Sequence, residues 1–319
     1  MAAITNIEKV KNLLDIGKYL VMSRIDFNGL RLYIQDTPFA YYSGLTGALA
    51  ACTFKGDPDA RRIVKWRESM IENLGKDNAD ASLSLMGDFG TLTHTALVTI
   101  KNKGFINWNE EKDLAFGFFT QAYKDKGLTP DLRTINKMVY EYQKHVASLM
   151  QFVYEMVDQI WAIETPAKWD DLKIATPIDI FCNCRQTPKG EFKPTTVNIK
   201  TSSQISAHQF EQVACELDMW NQTYNSSVGY TAILRTKDWN ESKVPTYEYK
   251  SLALADAKTY YEDAKQRLGL CLNSAASYYP NPVNKSFTGK TKIGEQPVII
   301  SKTIEEEWID ALQQKTEVI

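Results

Sequence analysis

Asp179 and Lys200 are the residues whose types and spacing point most directly to chemistry. Asp179 lies in Pro177-Ile178-Asp179-Ile180-Phe181 and Lys200 in Val197-Asn198-Ile199-Lys200-Thr201, two short β-like runs. Residues two apart in a strand share a face, so Asn198 and Lys200 point the same way. Between the runs, the segment from Cys184 to Glu191 carries Pro188 and Gly190 and reads as a hairpin loop. A carboxylate on one strand and a polar-x-Lys on its hairpin partner is the arrangement a metal-dependent phosphodiesterase needs. The carboxylate holds a hard cation, while the lysine helps orient or activate water and neutralises charge on phosphate. The middle position of such a motif is normally Asp or Glu, and here it is Asn198.

The elements around this hairpin follow from periodicity. Residues 5–16 read as a short amphipathic helix, and Arg31 to Asp36 alternates as a strand. Ser43 is placed to cap a helix running through Ala51. Lys55 to Pro58 forms a loop, and a cation-rich helix with Arg61, Arg62, Lys65, Trp66 and Arg67 begins near Asp57 or Asp59. A helix over Asn78 to Leu85 leads to Gly87 and Gly90, which loosen the chain, so Thr91 or Thr93 starts the helix that carries His94. Helices follow over Asn109 to Asp125 and Asp131 to Ala162, with Trp161 to Pro166 as a first edge strand. The helix after the hairpin runs from Ser203 to Thr223. Strands at Gly229 to Arg235 and Thr246 to Lys250 precede a helix from Leu252 to Leu272. A loop-like tail over 278–295 leads to a last helix, 304–313. The expected architecture is one α/β domain over residues 1–319, with a helical N-terminal subregion (about 1–160), a motif-bearing sheet core (about 161–250), and C-terminal helices and loop (251–319).

Bulk composition bounds the function. The 319 residues suffice for a substantial core, and 44% hydrophobic with 24% charged content is that of a soluble globular protein. A net charge of −2 excludes a globally basic nucleic-acid coat but leaves room for a local basic groove. The five cysteines, with Cys182 and Cys184 as a C-x-C pair, form no disulfide framework and read as reduced thiols. Three histidines without Cys/His clustering do not make a structural zinc site. The N-terminus has no signal-peptide core, and no apolar run approaches the roughly 18 residues of a membrane span. The expectation is a cytoplasmic protein.

Taken in order, these features resemble the RecB-like branch of the PD-(D/E)XK nuclease superfamily, in particular phage-type exonucleases. The resemblance spans about Tyr33 to Leu234. It rests on Ser43-Gly44-Leu45-Thr46 after a strand, Trp66-Arg67 on a basic helix, and Gly90-Thr91-Leu92-Thr93-His94 on the next helix. It continues through Ile178-Asp179-Ile180, Val197-Asn198-Ile199-Lys200-Thr201-Ser202, and Gln212 on the following helix. The resemblance implies a restriction-endonuclease-like core, a mixed central β-sheet flanked by helices. It implies a Mg²⁺- or Mn²⁺-dependent deoxyribonuclease that hydrolyses DNA with metal-activated water in recombination or repair. In that reading His94, Asp179, position 198 and the Ile199 carbonyl hold the metal, Lys200 positions water and phosphate, and Gln212 orients the site. DNA is the implied partner, beside a second copy of the chain or a replication or recombination protein, with no membrane.

Two departures from the pattern bear on activity. Asn198 supplies a neutral amide oxygen where the family has an anion, and Thr95 to Lys101 contains none of the acid many relatives carry after the histidine. Asp88 or Glu164 stands as the acid that compensates. Asn198 itself is an inactivating replacement, an active variant, or the mark of a catalytically silent relative that binds DNA or serves assembly. The Arg61/Arg62/Lys65/Arg67 cluster is either a solvated helix face or a set of DNA phosphate contacts.

Overall fold

The computed structural model describes residues 20–274 apart from 21, 28–29, 37, 53–64, 66, 74–75, 130, 203 and 237–244. The expected helices at 5–16 and 304–313, the loops at 55–58 and 278–295, and residues Arg61, Arg62 and Trp66 lie outside the described residues. Strands β1 (Ser23–Phe27), β2 (Leu30–Asp36) and β3 (Phe39–Gly44) lead into helix α1 (Leu45–Ala51). Helices α2 (Lys76–Lys103), α3 (Trp108–Asp125) and α4 (Leu132–Met156) follow, then strands β4 (Val157–Trp169), β5 (Ile174–Arg185) and β6 (Phe192–Lys200). Helix α5 (Ala207–Thr223), strands β7 (Tyr230–Thr236) and β8 (Tyr247–Ala253), and helix α6 (Leu254–Ser274) complete the order.

The eight strands among the described residues join one mixed, mostly antiparallel sheet, in which β3–β5 and β6–β7 pair in parallel. The fold is therefore α/β, with helices on both faces of the sheet. On one face, Leu45 of α1, Leu217 and Trp220 of α5 and Leu268 of α6 pack on Ile174, Ile178 and Phe181. On the other, Leu97 of α2, Phe119 of α3 and Leu149 and Phe152 of α4 pack on Ile180, Cys182, Val197 and Leu234. Cys52, Cys182, Cys184 and Cys215 are buried, the last three with free thiols. No helix among the described residues is long and apolar enough to cross a membrane.

Four expectations are corrected. The strand expected over Arg31 to Asp36 is not alone in the helical front of the chain, because β1 and β3 flank it in an antiparallel meander that extends the sheet. Ser43 is not a cap: it pairs with Ile174 within β3, and Gly44 is the N-cap residue of α1. Gly87 and Gly90 do not interrupt α2. Each glycine costs about 1 kcal/mol in a helix interior, but burial of Leu92, Ala96, Leu97 and Ile100 outweighs it. Thr91 and Thr93, expected as caps, bond back to the carbonyls of Gly87 and Phe89 inside that helix, both at 3.1 Å. Finally, α4 stops at Met156 rather than Ala162. The run of Val157, Ile160, Trp161 and Ile163 favours a strand, and it gains a long ladder with β5.

The β5–β6 hairpin turns through Thr187-Pro188-Lys189-Gly190, closed by the Gly190 N–H donating to the Thr187 carbonyl at 2.8 Å. A Cβ on Gly190 would lie 2.9 Å from the Thr187 hydroxyl, which explains glycine there. Beyond this hairpin the sheet forks. Strand β4 follows one edge of β5 from Val157 to Trp169, while the other edge is shared: β3 meets residues 174–175 and β6 meets residues 180–185. After Ile180↔Val197 the end of β6 leaves β5 and continues beside β7 through Lys200. Asp179 stands where the two strands part.

Candidate metal centre and its cleft

The fork coincides with a break in strand alternation. Ile178 packs into one core cluster and Ile180 into the other, although residues two apart should share a face. Across the ladder, Ile163↔Ile180 and Thr165↔Ile178 bracket Glu164 and set it opposite Asp179. Glu164 has φ 49°, a left-handed conformation uncommon outside glycine and associated with strain at functional positions. The kink turns both carboxylates toward a cleft of about 1000 Å³.

His94 enters this cleft from α2. Its Nδ1 lies 3.0 Å from Glu164 Oε1 and 3.6 Å from Asp179 Oδ1. One ligand-capable atom from each of His94, Glu164 and Asp179 lies within 4.8 Å of the others. Asp179 is 5% exposed, and its Oδ2 accepts the Ile199 N–H at 2.6 Å. That bond spans the opening of the fork and fixes the carboxylate. Burial pushes the Asp179 carboxyl up, Glu164 adds to the rise, and His94, Lys200 and the Ile199 N–H oppose it without cancelling it. Burial pulls the His94 imidazole down, but the charge of Asp179 and the hydrogen bond and charge of Glu164 outweigh it and raise it to about 9.

Asn198 and Lys200 share the cleft side of β6, as the alternation predicts, with Ile199 in the opposite core. Lys200 Nζ donates to Gln212 Oε1 at 3.0 Å, and Gln212 Nε2 donates to Glu216 Oε1 at 2.7 Å. Asn198 Nδ2 donates to both oxygens of Glu216, at 3.0 and 3.2 Å. Glu216 is 1% exposed. Burial pushes its carboxyl up to about 8, with the charge of Asp179 adding and Lys200, Gln212 and Asn198 opposing. Asn198 is 3% exposed, and its Oδ1 has no hydrogen-bond partner among the described residues.

The structure thus brings together His94, Asp179, Asn198, Ile199, Lys200 and Gln212. Gln212 accepts from Lys200 at this site, while Gln209, a turn earlier, caps α5 by accepting the Ser206 N–H. The structure selects Glu164 over Asp88, which pairs with Lys126 at 2.5 Å. Lys65 and Arg67 are exposed and do not line the cleft. Among the described residues, Arg24 on β1 and Arg31 on β2 line it beside Lys200. Reasoning from sequence missed Arg24, Arg31 and Glu216. The four-residue step from Gln212 to Glu216 was the available signal, since it sets both on one helix face.

His94, Glu164 and Asp179 form a His/carboxylate group of the kind that can hold a metal ion. No protein-family model matches the chain, and no curated protein sequence matches it.

Proposed function

We propose that the protein is a metal-dependent DNA nuclease with a restriction-endonuclease-like core. The observation that carries this reading is the convergence of His94, Glu164 and Asp179 in one cleft with Lys200. The donor set fits a cation. Two carboxylates and an imidazole suit Mn²⁺, carboxylates suit Mg²⁺, and the orphaned Asn198 Oδ1 is a buried oxygen that lacks a positive partner. His94, Glu164, Asp179 and Asn198 would hold the ion, with the Ile199 carbonyl as a further candidate oxygen. When bound, it supplies Lewis acidity that acidifies water and offsets charge on phosphoryl oxygens.

The chain's own residues do the rest. Lys200 presents an ammonium to the phosphate, and Gln212 holds that ammonium in place by accepting one of its protons. Asp179 is fixed by the Ile199 N–H, so its free oxygen keeps one direction. Arg24 and Arg31 line the cleft wall and suit flanking phosphates of a DNA backbone. An exonuclease is the reading the family resemblance favours.

A second reading is favoured by Asn198: a silent relative that binds DNA or serves assembly, since the motif lacks an acid on β6. One experiment separates the two. The protein is incubated with end-labelled duplex and single-stranded DNA in Mn²⁺, in Mg²⁺ and in a chelator. Metal-dependent shortening that disappears in Asp179→Ala supports the nuclease. Mn²⁺ and DNA binding without any shortening supports the silent relative.

A further inference from the structure

Asn198 and Glu216 carry more than a missing charge. An ionised carboxylate accepts and never donates, so with Glu216 ionised its two oxygens leave only the amino end of Asn198 to meet them. Both bonds from Nδ2 to Glu216 therefore fix the amide's orientation and turn Oδ1 away from the acid. That Oδ1 is buried and has no partner among the described residues, on a residue that lines the cleft of His94, Glu164 and Asp179. Glu216 does not line the cleft; it stands behind Asn198, held in turn by Gln212.

We propose that Asn198 and Glu216 act as one unit: a buried carboxylate pins the amide so that Asn198 Oδ1 is presented to a divalent cation in the cleft. The anion missing from β6 sits one residue deeper, on α5. Drawing negative charge onto the amide's N–H side makes its oxygen a better donor, as a carboxylate does for a metal-bound imidazole. Glu216 is thus a positioning residue. The inference rests on the metal-site reading above.

The pair makes replacement of Asn198 by acid self-defeating. Asn198→Asp sets a second carboxyl against Glu216, so the pair either repels or holds a proton between its members, whereas Asn198→Asp with Glu216→Gln restores one acid and one amide in exchanged places. Mn²⁺ binding is measured by calorimetry on wild type, E216Q, N198D, N198D/E216Q and D179A, with thermal melts in chelator to establish folding. The expected order is a loss of about 10- to 100-fold for E216Q, no gain for N198D, and recovery in the double variant. Electron–nuclear double resonance of Mn²⁺ in protein labelled with ¹³C at the asparagine side-chain carbonyl should show coupling that N198D/E216Q lacks. Folded E216Q binding like wild type, or N198D alone binding more tightly than wild type, overturns the pairing while leaving the metal site intact. If wild type binds Mn²⁺ no better than D179A, the metal-site reading fails and the pairing with it.

Discussion

The ladder between β4 and β5 carries two polar clusters of opposite character. At Lys168, the ammonium donates to Gln35 at 2.9 Å, to the Tyr42 hydroxyl at 3.0 Å and to Asp170 at 2.8 Å, and Tyr42 also donates to Asp170. Burial works against both charges there, but the bonds win: Lys168 is held up and Asp170 is held down. Four residues earlier in β4, around Glu164, the balance reverses. The Asp179 and Glu216 carboxyls are pushed up despite their donors, and Asn198 Oδ1 has no partner. One cluster is settled by its own members, and the other is short of positive charge. Similar residue types with different satisfaction set a self-contained network apart from the candidate metal site.

The largest effect that tests this contrast comes from Asp179→Asn. The substitution keeps an oxygen for the Ile199 N–H but removes a buried anion. Mn²⁺ binding by calorimetry should be lost, while the melting temperature in chelator should stay level or rise. A fall in metal-free stability together with retained Mn²⁺ binding would place Asp179 among the settled groups and erase the contrast. Next in size, Lys200→Met should slow metal-dependent cleavage by about 100- to 1000-fold while leaving Mn²⁺ affinity near wild type. Equal losses in both would mean that Lys200 holds the site together rather than serving the phosphate.

A smaller effect follows from protons. In the metal-free protein the Glu216 carboxyl lies at about 8, above its ordinary 4.5, and His94 at about 9, above its ordinary 6.5. Both bind their protons more tightly folded than unfolded. Their contribution is fully present below the unfolded values and is lost as pH rises through about 8 and about 9. Metal-free melting temperature should therefore fall between pH 6.5 and 9, and saturating Mn²⁺ should flatten the fall by taking the protons' place. His94→Gln with Glu216→Gln should remove most of the slope. A slope unchanged in that variant would show that the titrating groups lie elsewhere.

The legibility of this site in sequence followed the range of the interactions. Asp179, Asn198 and Lys200 were readable because strand alternation is local, and the hairpin that joins them turns within a few residues. Element type was readable where periodicity was strong, as in α4 and α5, but ends were not. The start of β4 reads as helix in sequence because its apolar run gives no hint of the long ladder it forms with β5. The meander of β1–β3 was half seen, since only β2 alternates clearly. Glu164 was named but could not be placed, because its position depends on register with β5 and a left-handed backbone. Glu216 was missed because a glutamate on an amphipathic helix looks solvated until tertiary packing buries it at 1% exposure.

The smallest expected effect is the most direct check on independence. Lys168→Met removes the hub of the settled cluster while methionine's unbranched thioether chain keeps most of the packing volume. Asp170 is well exposed and can return to water, so the stability loss should stay within about 1 kcal/mol in chemical denaturation. Mn²⁺ affinity should not change, because the cluster already satisfies itself and contributes no atom to the cleft of His94, Glu164 and Asp179. Yet Lys168 shares β4 with Glu164, and a kinked strand can transmit a shift along its ladder. A tenfold change in Mn²⁺ affinity in a variant that melts normally would therefore mean that the settled cluster holds the register that sets Glu164 against Asp179. The contrast between the clusters would then become a division of labour, with one network fixing the strand on which the other depends.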